Sequence, residues 1–433
     1  MKFIRDKQNK KTVVAMSPRK SLRDSAGQAG EHKKRIAVAM SGGVDSSAVA
    51  LLLKKQGYEV IGIFMRLAPL DMKNYLTGWS VNEEDNEAAA RQVCQKLNIK
   101  FYPINLTQEF RKEVMDYFLD SYAQGLTPNP CVKCNQLIKF NGLLKLVEKL
   151  GADYLATGHY ARLRREFSIF NFQFSNKSKI QNPKSQITAI EGKKTNIRYK
   201  LFRAADKNKD QSYFLYNLTQ RQLARVLFPL GDYTKAEVRK IADRAKLPYL
   251  TKESQDICFL KGDHNDFLRQ RLKLKPGPII LLRPSGTSSY KEEESEWLGK
   301  VIGEHQGLPL YTIGQRRGVE IGGIGPFYAA KCDYKTNTLY VASNGDDPVL
   351  YSDETTAKDV NWIAGQEPKM PLLCEAVIRY RHKPVKCEVK SCGNKYLIKF
   401  NKAQRAVAPG QSIVFYQGDE VLGGAVIHDT ASI

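Results

Sequence analysis

The chain has 433 residues, with 68 Lys or Arg against 45 Asp or Glu, so its formal net charge is +23 at pH 7. At about 150 residues per domain, this length predicts two to four domains. The 42% hydrophobic and 26% charged residues exclude collagenous and wholly disordered proteins. No run approaches the roughly 20 apolar residues that cross a bilayer, and eight cysteines are too few for a disulfide-stapled secreted scaffold. We therefore expect no membrane partner, a polyanionic partner such as nucleic acid, and a cytoplasmic location, or a mitochondrial one if the source is eukaryotic.

Two segments carry 16 of the 23 net positive charges. Residues 1–35 hold 11 Lys or Arg against three acidic residues, and residues 162–200 hold ten against two. The first segment lacks apolar periodicity, so we interpret residues 1–34 as a flexible basic extension. Its acidic residues argue against the alternative of a transit peptide.

The second basic segment has phenylalanines among polar residues, followed by a long stretch of Asn, Ser, Lys and Gln. This pattern favours an extended hairpin with a disordered tip. We therefore expect a basic insertion over about residues 165–198.

From residue 35 the chain alternates between strand-like and helical patterns. Buried strands are predicted at residues 36–40, 60–65, 100–104 and 154–157, and helices at 48–55, 87–97 and 110–122. This alternation predicts an α/β fold with a parallel sheet covered by helices on both faces. Ligands of such sheets bind beyond the carboxyl ends of the strands. Ser41, Met65 and residues 157–159 lie at or just after the ends of three of the predicted strands, so we expect them to converge on one crevice.

A glycine-rich turn, Ser-Gly-Gly-Val-Asp-Ser at residues 41–46, separates the first of these strands from the first helix. Adjacent glycines let a ligand approach the backbone, and N–H groups at a helix N-terminus bind phosphate oxygens. Neither GxxxxGK[ST] nor GxGxxG occurs in the chain, which leaves a plain turn as the alternative. The turn resembles the pyrophosphate-binding loop of the ATP pyrophosphatase (PP-loop) superfamily, whose members split ATP into AMP and pyrophosphate while adenylating a substrate.

This resemblance implies a catalytic domain like the adenine nucleotide alpha hydrolases, with ATP and Mg²⁺ as ligands and Met65 against the adenine. The residues implied for ATP binding lie in the turn, at the end of the preceding strand and after two later strands. They are Ala39, Met40, Ser41, Gly42, Gly43, Val44, Asp45, Ser46, Met65 and Gly158.

Three of the eight cysteines lie in patterns that suggest chemistry. Cys131 and Cys134 form a CxxC pair on a Pro-rich turn before a predicted helix, and Cys258 follows a polar run. Thiols near a helix N-terminus and beside Lys133 and Lys139 should have a lowered pKa. Structural zinc would need four ligands, and only one CxxC pair is present. Inert buried cysteines are the other alternative, and we favour reactive thiols.

The C-terminal half shows patterns that carry less chemistry. Residues 234–237 fit a capping box that opens a structural helix to Ala245. Arg316 and Arg317 lie in a basic loop within a region rich in Gly and Pro. Strand-like runs at residues 338–342, 375–380, 395–400 and 412–416 predict a small C-terminal β-barrel.

An adenylating loop together with reactive thiols suggests sulfur transfer to an activated carbon. Seven segments of the chain resemble, in order, the tRNA-specific 2-thiouridylase family, over about residues 35–427. They read SGGVDS, TPNPCVKCNQLIKF, ATGHYAR, KDQSYFL, SQDICFL, YTIGQRRGV and RAVAPGQSIVFYQGDEVLGGAVI. With this resemblance we expect a PP-loop catalytic domain at 35–260, a small central tRNA-contacting domain at 261–325 and a β-barrel domain at 326–433.

The resemblance implies an ATP-dependent sulfurtransferase that thiolates C2 of the wobble uridine, position 34, in tRNAs for Lys, Glu and Gln. Cys258 then resembles the thiol that carries sulfur as a persulfide, received from a donor or relay protein. Cys134 resembles the partner nucleophile that closes a disulfide with Cys258. The residues that resemble tRNA contacts are Asn129, Pro130, Cys131, His159, Lys209, Asp210, Gln211, Arg379, Tyr380 and Gln411.

Cys131 departs from the family pattern, in which many members carry Asp at this position. A thiol in place of a carboxylate leaves the acid/base assignment open. It also allows an alternative in which Cys131, Cys134 and Cys258 hold a [4Fe–4S] cluster that carries the sulfur. Remoter alternatives are an amide-forming PP-loop ligase, which needs no paired thiols, and a non-catalytic RNA-binding metalloprotein.

The two basic segments should add affinity for RNA that depends on salt and not on sequence. Deleting both should flatten the slope of log Kd for tRNA against log salt concentration, because fewer counterions are released on binding. Thiolation at saturating tRNA should be unchanged. An unchanged slope would assign the excess charge another role.

Overall fold

A computed structural model describes residues 4–5, 12–13, 33–68, 83–169, 195–251, 257–260, 263–282, 299–319, 321 and 326–430. In the N-terminal half these residues form nine strands. They are β1 (Ile4–Arg5), β2 (Thr12–Val13), β3 (Arg35–Met40), β4 (Glu59–Arg66), β5 (Lys100–Asn105), β6 (Tyr154–Ala156), β7 (Arg162–Ile169), β8 (Thr195–Phe202) and β9 (Val226–Leu227).

Five of these strands form a parallel sheet in the order β5-β4-β3-β6-β9. Alternate residues of β3 point to opposite faces, as the two-residue period of a strand requires. Ile36, Val38 and Met40 pack in one apolar cluster, and Ala37 packs in another. Because both faces are covered, β3 and β4 are nearly continuous apolar runs. The predicted parallel α/β sheet is confirmed.

Helices flank the sheet and connect its strands. The α-helical segments are α1 (Val44–Lys55), α2 (Glu83–Lys96), α3 (Thr107–Phe110), α4 (Tyr117–Ala123), α5 (Pro130–Lys133), α6 (Leu143–Lys149), α7 (Gln220–Leu223), α8 (Lys235–Arg244) and α9 (His264–Arg271). Short 3₁₀ turns lie at Ser212–Leu215, Leu308–Leu310 and Pro348–Leu350. None of these helices combines the length and hydropathy needed to cross a bilayer.

Two π-helical segments interrupt the helices that follow β5. Arg111–Asp116 lies between α3 and α4, and Cys134–Gly142 lies between α5 and α6. The wider i to i+5 hydrogen bonding of a π-helix often occurs at functional sites. The second segment begins at one of the cysteines predicted to be reactive.

Strands β7 and β8 form the predicted hairpin, with Arg162 opposite Phe202 and Ile169 opposite Thr195. The tip that we expected to be disordered lies outside the described residues. At its base, β8 pairs with a strand of the C-terminal barrel, because Leu201 lies opposite Val421. The hairpin therefore joins the domain of the parallel sheet to the barrel.

A four-stranded sheet follows α9 in the chain. Its strands are β10 (Gly277–Leu281), β11 (Val301–His305), β12 (Tyr328–Asp333) and β13 (Thr338–Ala342), in the order β11-β10-β13-β12. We expected residues 338–342 in the barrel, and this expectation is wrong. Strand β13 pairs with both β10 and β12, so the central sheet extends beyond residue 325.

The C-terminal strands close into the predicted barrel. They are β14 (Tyr351–Trp362), β15 (Leu372–Val377), β16 (Val385–Cys392), β17 (Lys395–Arg405), β18 (Ser412–Gln417) and β19 (Glu420–Thr430). They are ordered β14-β17-β16-β15-β18-β19, and β19 pairs again with β14. Closure removes the unpaired edges that an open antiparallel sheet would expose.

Tyrosines join the barrel to the parallel sheet. The Tyr213 hydroxyl donates to the Ser412 carbonyl at 2.8 Å, and the Tyr216 hydroxyl lies 3.2 Å from Ser412 Oγ. The Arg203 guanidinium lies 3.6 Å from the centre of the Tyr416 ring. Buried aromatic rings with satisfied hydroxyls give this junction both apolar contact and defined geometry.

Candidate functional site

The predicted phosphate loop lies at the carboxyl end of β3 and leads directly into α1. Gly42 has φ of +76°, and a Cβ on it would lie 2.5 Å from the Asn86 carbonyl oxygen. Glycine is therefore required there by conformation and by space. Gly43 caps α1 without a side-chain hydrogen bond, so N–H groups at the start of this helix remain available to an anion.

Two other segments reach the same loop. A Cβ on Gly158 would lie 3.0 Å from Asp45 Cβ and 3.2 Å from the Ser46 backbone nitrogen, so residue 158 packs directly on the loop. Met65 lies on β4 one residue beyond Phe64, the partner of Met40. Ala39 and Val44 flank the loop on β3 and α1. The ten residues expected at an ATP site thus lie around one edge of the sheet.

The Asp45 carboxylate is held from two sides. Its Oδ1 accepts a hydrogen bond from the Tyr160 hydroxyl at 2.7 Å, and its Oδ2 accepts one from Lys235 Nζ at 2.7 Å. The Lys235 side chain is 11% exposed and that of Asp45 is 32% exposed. Sequence reasoning missed both donors, because Tyr160 lies in a run assigned to other roles and Lys235 opens α8, which we interpreted as structural only.

The capping box of α8 is confirmed. Thr234 and Glu237 exchange hydrogen bonds between side chain and backbone, and the helix ends with Ala245 as its C-cap. This cap fixes the first residue of the helix, and that residue is Lys235. The helix therefore also positions a cation at the loop.

The three thiols expected to react converge. Asn129 caps α5, with its side-chain oxygen accepting from the Val132 N–H at 3.3 Å, and Pro130 opens the helix. Cys134 is buried and packs in an apolar cluster that Cys258 also joins. Burial raises the pKa of Cys258, and the neighbouring Cys134 and Cys131 raise it further by like-charge repulsion. All three cysteines are free thiols in this structure.

The predicted lowering of the thiol pKa values is wrong. Burial raises the pKa of Cys131 to about 11, and it also raises the pKa of Cys134 and of Cys258. The Lys139 ammonium lowers each of the three but does not offset the cost of burying a thiolate. The reason is desolvation, which cannot be seen from the position of a cysteine in a helix.

Only one of the two expected lysines faces the thiols. Lys133 lies between the two cysteines of the CxxC pair, but its ammonium sits 5.0 Å from the centre of the Tyr117 ring. Lys139 is five residues after Cys134 within the π-helix. Its ammonium lowers the pKa of Cys131, Cys134 and Cys258, so it lies near all three thiols.

The thiols are not arranged as a metal site. Within the described ranges, no three side chains among His, Cys, Asp and Glu are placed to hold a metal ion. Cys131, Cys134 and Cys258 are therefore not placed to hold one shared metal ion. The same observation argues against structural zinc at the CxxC pair.

His159 follows Gly158, which packs on the glycine loop, and its pKa responds to Lys139, the lysine that also acts on the three thiols. Its Nδ1 is 2.7 Å from Thr157 Oγ1, and its ring packs near those of Phe140 and Phe228 at 5.7 and 6.2 Å between centres. Burial and, less strongly, Lys139 hold its pKa well below the usual value. The imidazole is therefore neutral near pH 7 and offers a hydrogen bond without a charge.

The expected tRNA contacts at residues 209–211 are partly used within the fold. Asp210 accepts from the Ala204 N–H at 2.9 Å and from the Ser212 hydroxyl at 2.9 Å. Gln211 exchanges two hydrogen bonds with the backbone of Tyr160. Lys209 is partly exposed.

The barrel residues expected to contact tRNA lie beside the CxxC segment. Thr127 N–H donates to the Pro409 carbonyl at 2.8 Å, next to Gly410 and Gln411. Tyr380 packs on Phe214 with ring centres 4.5 Å apart. Burial, followed by the charge of Arg405, lowers the pKa of the neighbouring Arg379.

Residues 312–314, which lie between β11 and β12 of the central sheet, also contact the CxxC segment and the barrel. Thr312 Oγ1 lies 3.3 Å from Thr127 Oγ1, and Gly314 approaches Ala406 so closely that a Cβ would lie 2.4 Å from the Ala406 Cβ. Arg316 and Arg317 follow and are exposed. Three regions of the chain thus meet around the segment that carries Cys131 and Cys134.

Family models match three consecutive parts of the chain. A tRNA methyl transferase HUP domain matches residues 34–262, a tRNA methyl transferase PRC-barrel domain residues 265–343, and an aminomethyltransferase beta-barrel domain residues 352–427. The first model alone spans more than half of the chain. The middle match includes β12 and β13, in agreement with the strand pairing.

Curated relatives match over nearly their whole length. The tRNA-specific 2-thiouridylase MnmA of Roseiflexus sp. (strain RS-1) is 42% identical over 398 residues, covering 91% of this chain and 99% of the relative. MnmA of Bacillus subtilis (strain 168) is 41% identical over 401 residues, covering 91% and 95%.

Among solved structures, the U34-tRNA thiolase NcsA of Methanococcus maripaludis, with its [4Fe-4S] cluster, is similar with a TM-score of 0.32 and 18% identity. The match covers 56% of this chain and 68% of that one. This likeness is too distant to carry an argument about the sulfur carrier. The family models and the relatives at over 40% identity suffice for the assignment: the chain belongs to the tRNA-specific 2-thiouridylase family.

Proposed function

We propose that this protein converts the wobble uridine of tRNA to 2-thiouridine by adenylating the C2 oxygen and transferring sulfur through Cys258 and Cys134. The observation that carries this proposal is that Cys134 and Cys258, far apart in the chain, pack in one cluster beside the sheet that bears the glycine loop. Paired thiols have no role in an amide-forming ligase, whereas sulfur transfer needs them.

The first step takes place at the loop after β3. Backbone N–H groups at the start of α1 would bind the phosphates of Mg²⁺·ATP, with Met65 against the adenine. Asp45 is the carboxylate that would face the metal ion of this substrate, and Lys235 would balance the phosphate charge. Attack of the uridine C2 oxygen on the α-phosphate releases pyrophosphate and leaves AMP on that oxygen.

The second step moves sulfur. A persulfide on Cys258 attacks C2 with its terminal sulfur, and AMP leaves with the oxygen. The Cys134 thiolate then attacks the Cys258 sulfur, so the bond between Cys258 and the transferred sulfur breaks and its electron pair forms C2=S. The products are 2-thiouridine, AMP and a disulfide between Cys134 and Cys258, which a dithiol reductant must reopen.

Burial shapes both thiol steps. A desolvated thiolate is a stronger nucleophile than a hydrated one, but it forms rarely because burial raises the pKa of each cysteine. Lys139 lowers these pKa values and supplies the charge that a transient thiolate needs. His159, held neutral, would hydrogen-bond the target base without repelling Lys139.

The tRNA would reach the thiols through the junction of the three regions. An anticodon base must leave its stack to enter such a site. Its proposed contacts are the CxxC segment, His159, the turn after β8 and barrel residues: Asn129, Pro130, Cys131, His159, Lys209, Asp210, Gln211, Arg379, Tyr380 and Gln411. We propose tRNAs for Lys, Glu and Gln as substrates and a persulfide-bearing protein as the sulfur donor.

Serine variants of the cysteines test the sulfur route. Cys134→Ser and Cys258→Ser should each abolish 2-thiouridine, measured by mass spectrometry of tRNA nucleosides from cells that lack the protein and express the variant. Both variants should retain tRNA-dependent pyrophosphate release, because adenylation precedes the thiol steps. Exposed Cys392 gives the matched control, and Cys392→Ser should retain full thiolation. Normal 2-thiouridine in either active-site variant would reject the thiol route.

Cys131 separates this route from an iron–sulfur route. With a persulfide, Cys131→Ser should keep measurable thiolation, whereas a cluster held by three cysteines should lose it. Iron and sulfide analysis of anaerobically purified and reconstituted protein gives the second measurement, with less than about one iron per chain expected. Stoichiometric iron together with an inactive Cys131→Ser variant would favour the cluster.

Alkylation kinetics test the buried thiols and the role of Lys139. Because the pKa of Cys131 is about 11, its thiolate fraction and its rate with iodoacetamide should rise about tenfold per pH unit from pH 7 to 10. Lys139→Met should slow all three cysteines, and Lys139→Arg should restore them. Lys133→Met is the control and should have no effect. Peptide mass spectrometry gives the rates, and equal effects of the two Met variants would contradict the assignment.

A further inference from the structure

Both donors to Asp45 are themselves held by one short turn, residues 206–211. This turn lies between β8 and the 3₁₀ turn at Ser212–Leu215. It contains the Lys-Asp-Gln triplet that the family resemblance assigns to tRNA contact. Its internal bonds indicate another role.

The first donor is fixed by Gln211. The Tyr160 backbone N–H donates to Gln211 Oε1 at 3.0 Å, and the Gln211 N–H donates to the Tyr160 carbonyl at 2.9 Å. These two bonds clamp residue 160 to the turn. Tyr160 is only 2% exposed, and its hydroxyl reaches Asp45 Oδ1 at 2.7 Å.

The second donor is fixed by Asp206, at the other end of the turn. Asp206 Oδ2 accepts from the Lys235 backbone N–H at 2.9 Å, while the ammonium of the same lysine reaches Asp45 Oδ2 at 2.7 Å. The first residue of α8 is therefore held at its backbone by the turn and at its side chain by the loop.

The turn is also hydrogen-bonded internally and tied to the barrel. Asp206 Oδ1 accepts from the Asn208 N–H at 3.1 Å, and Asp210 accepts from the Ser212 hydroxyl at 2.9 Å. Ser212 Oγ in turn lies 3.3 Å from the Tyr416 hydroxyl of the barrel. A segment fixed at so many points transmits a displacement at one end to the other.

We propose that residues 206–211 and Tyr160 are positioning residues of the ATP site, which orient the Asp45 carboxylate for Mg²⁺·ATP. The proposal rests on the proposed function, in which Asp45 faces this substrate. Without its two donors, the carboxylate would rotate freely and lose the orientation that metal and phosphate require. A tRNA that contacts Lys209 would act on the segment that carries both donors, so ATP activation would respond to tRNA.

Removal of one hydroxyl tests the proposal. Tyr160→Phe should raise the Kd of Mg²⁺·ATP about tenfold in calorimetry without tRNA, because a hydrogen bond to a charged group is lost. Tyr396→Phe is the matched control. Its hydroxyl donates to Glu367 at 2.5 Å at an exposed site in the barrel, so ATP affinity should not change. An unchanged Kd for Tyr160→Phe would overturn the proposal.

A double-mutant cycle distinguishes positioning from general support of the fold. In an Asp45→Asn background, Tyr160→Phe should cause less than about a twofold further loss of ATP affinity, because its effect passes through the carboxylate. Independent, additive losses would contradict the proposal.

Gln211→Leu separates the turn's two possible roles and does not depend on Tyr160→Phe folding. A positioning role predicts weaker Mg²⁺·ATP binding in the absence of tRNA. A purely RNA-contacting role predicts weaker tRNA binding with unchanged ATP affinity, and that result would overturn the inference. Failure of the proposed function would appear differently, as a wild-type protein that neither binds Mg²⁺·ATP nor thiolates tRNA.

Discussion

The cost of burying a thiolate governs the chemistry available to this protein. Cys134 and Cys258 pack among apolar side chains, where a charged sulfur loses its hydration, and their pKa values rise as a result. The charge of nearby Lys139 lowers both pKa values but offsets only part of the effect of burial. In the proposed function, such a site would keep the thiols protonated at rest and protect them from solvent oxidants, because the thiolate is the reactive form. It would suit the proposed reaction, in which ATP must first make the electrophile.

The glycine loop after β3 depends on a different constraint, which is close backbone approach. Gly42 and Gly158 are positions where a side chain would collide with neighbouring backbone or side-chain atoms. Because glycine has no Cβ, the loop after β3 can approach α2 at Gly42, and the segment after β6 can approach the loop at Gly158. Asp45 is then fixed by Tyr160 and Lys235, so that the loop presents a defined carboxylate beside the open N–H groups of α1.

The central sheet and the barrel complete the site from outside the catalytic sheet. Thr127 is the meeting point, because it contacts Thr312 through its hydroxyl and Pro409 through its backbone. The segment with Asn129 and Cys131 follows immediately. A parallel sheet alone offers a crevice for a nucleotide, whereas a folded RNA needs contacts spread over a larger surface. Cys131 and Cys134 therefore lie where the domain of the parallel sheet meets the central sheet and the barrel.

Much of this architecture can be predicted from the chain. Apolar runs such as β3 and β4 indicate a parallel sheet because a strand buried on both faces is apolar at nearly every position. The capping box of α8 can be recognised from Thr234 and Glu237 alone. The barrel is likewise visible as alternating runs between turns. The boundary before it was misplaced, because β13 has a strand pattern that does not specify its partner. Only the pairing with β10 decides that.

The sequence by itself determined the fold class, the glycine loop and the identity of the three cysteines that come together, since each depends on residues adjacent in the chain or on an ordered set of motifs. Tertiary structure alone decided the state of those cysteines and the partners of Asp45. Desolvation depends on every atom packed around a sulfur, so a helix start that predicts a low pKa becomes a buried site with a high one. The contacts of Lys133, Lys139 and Lys235 depend on how distant segments are oriented, and no local pattern encodes that orientation.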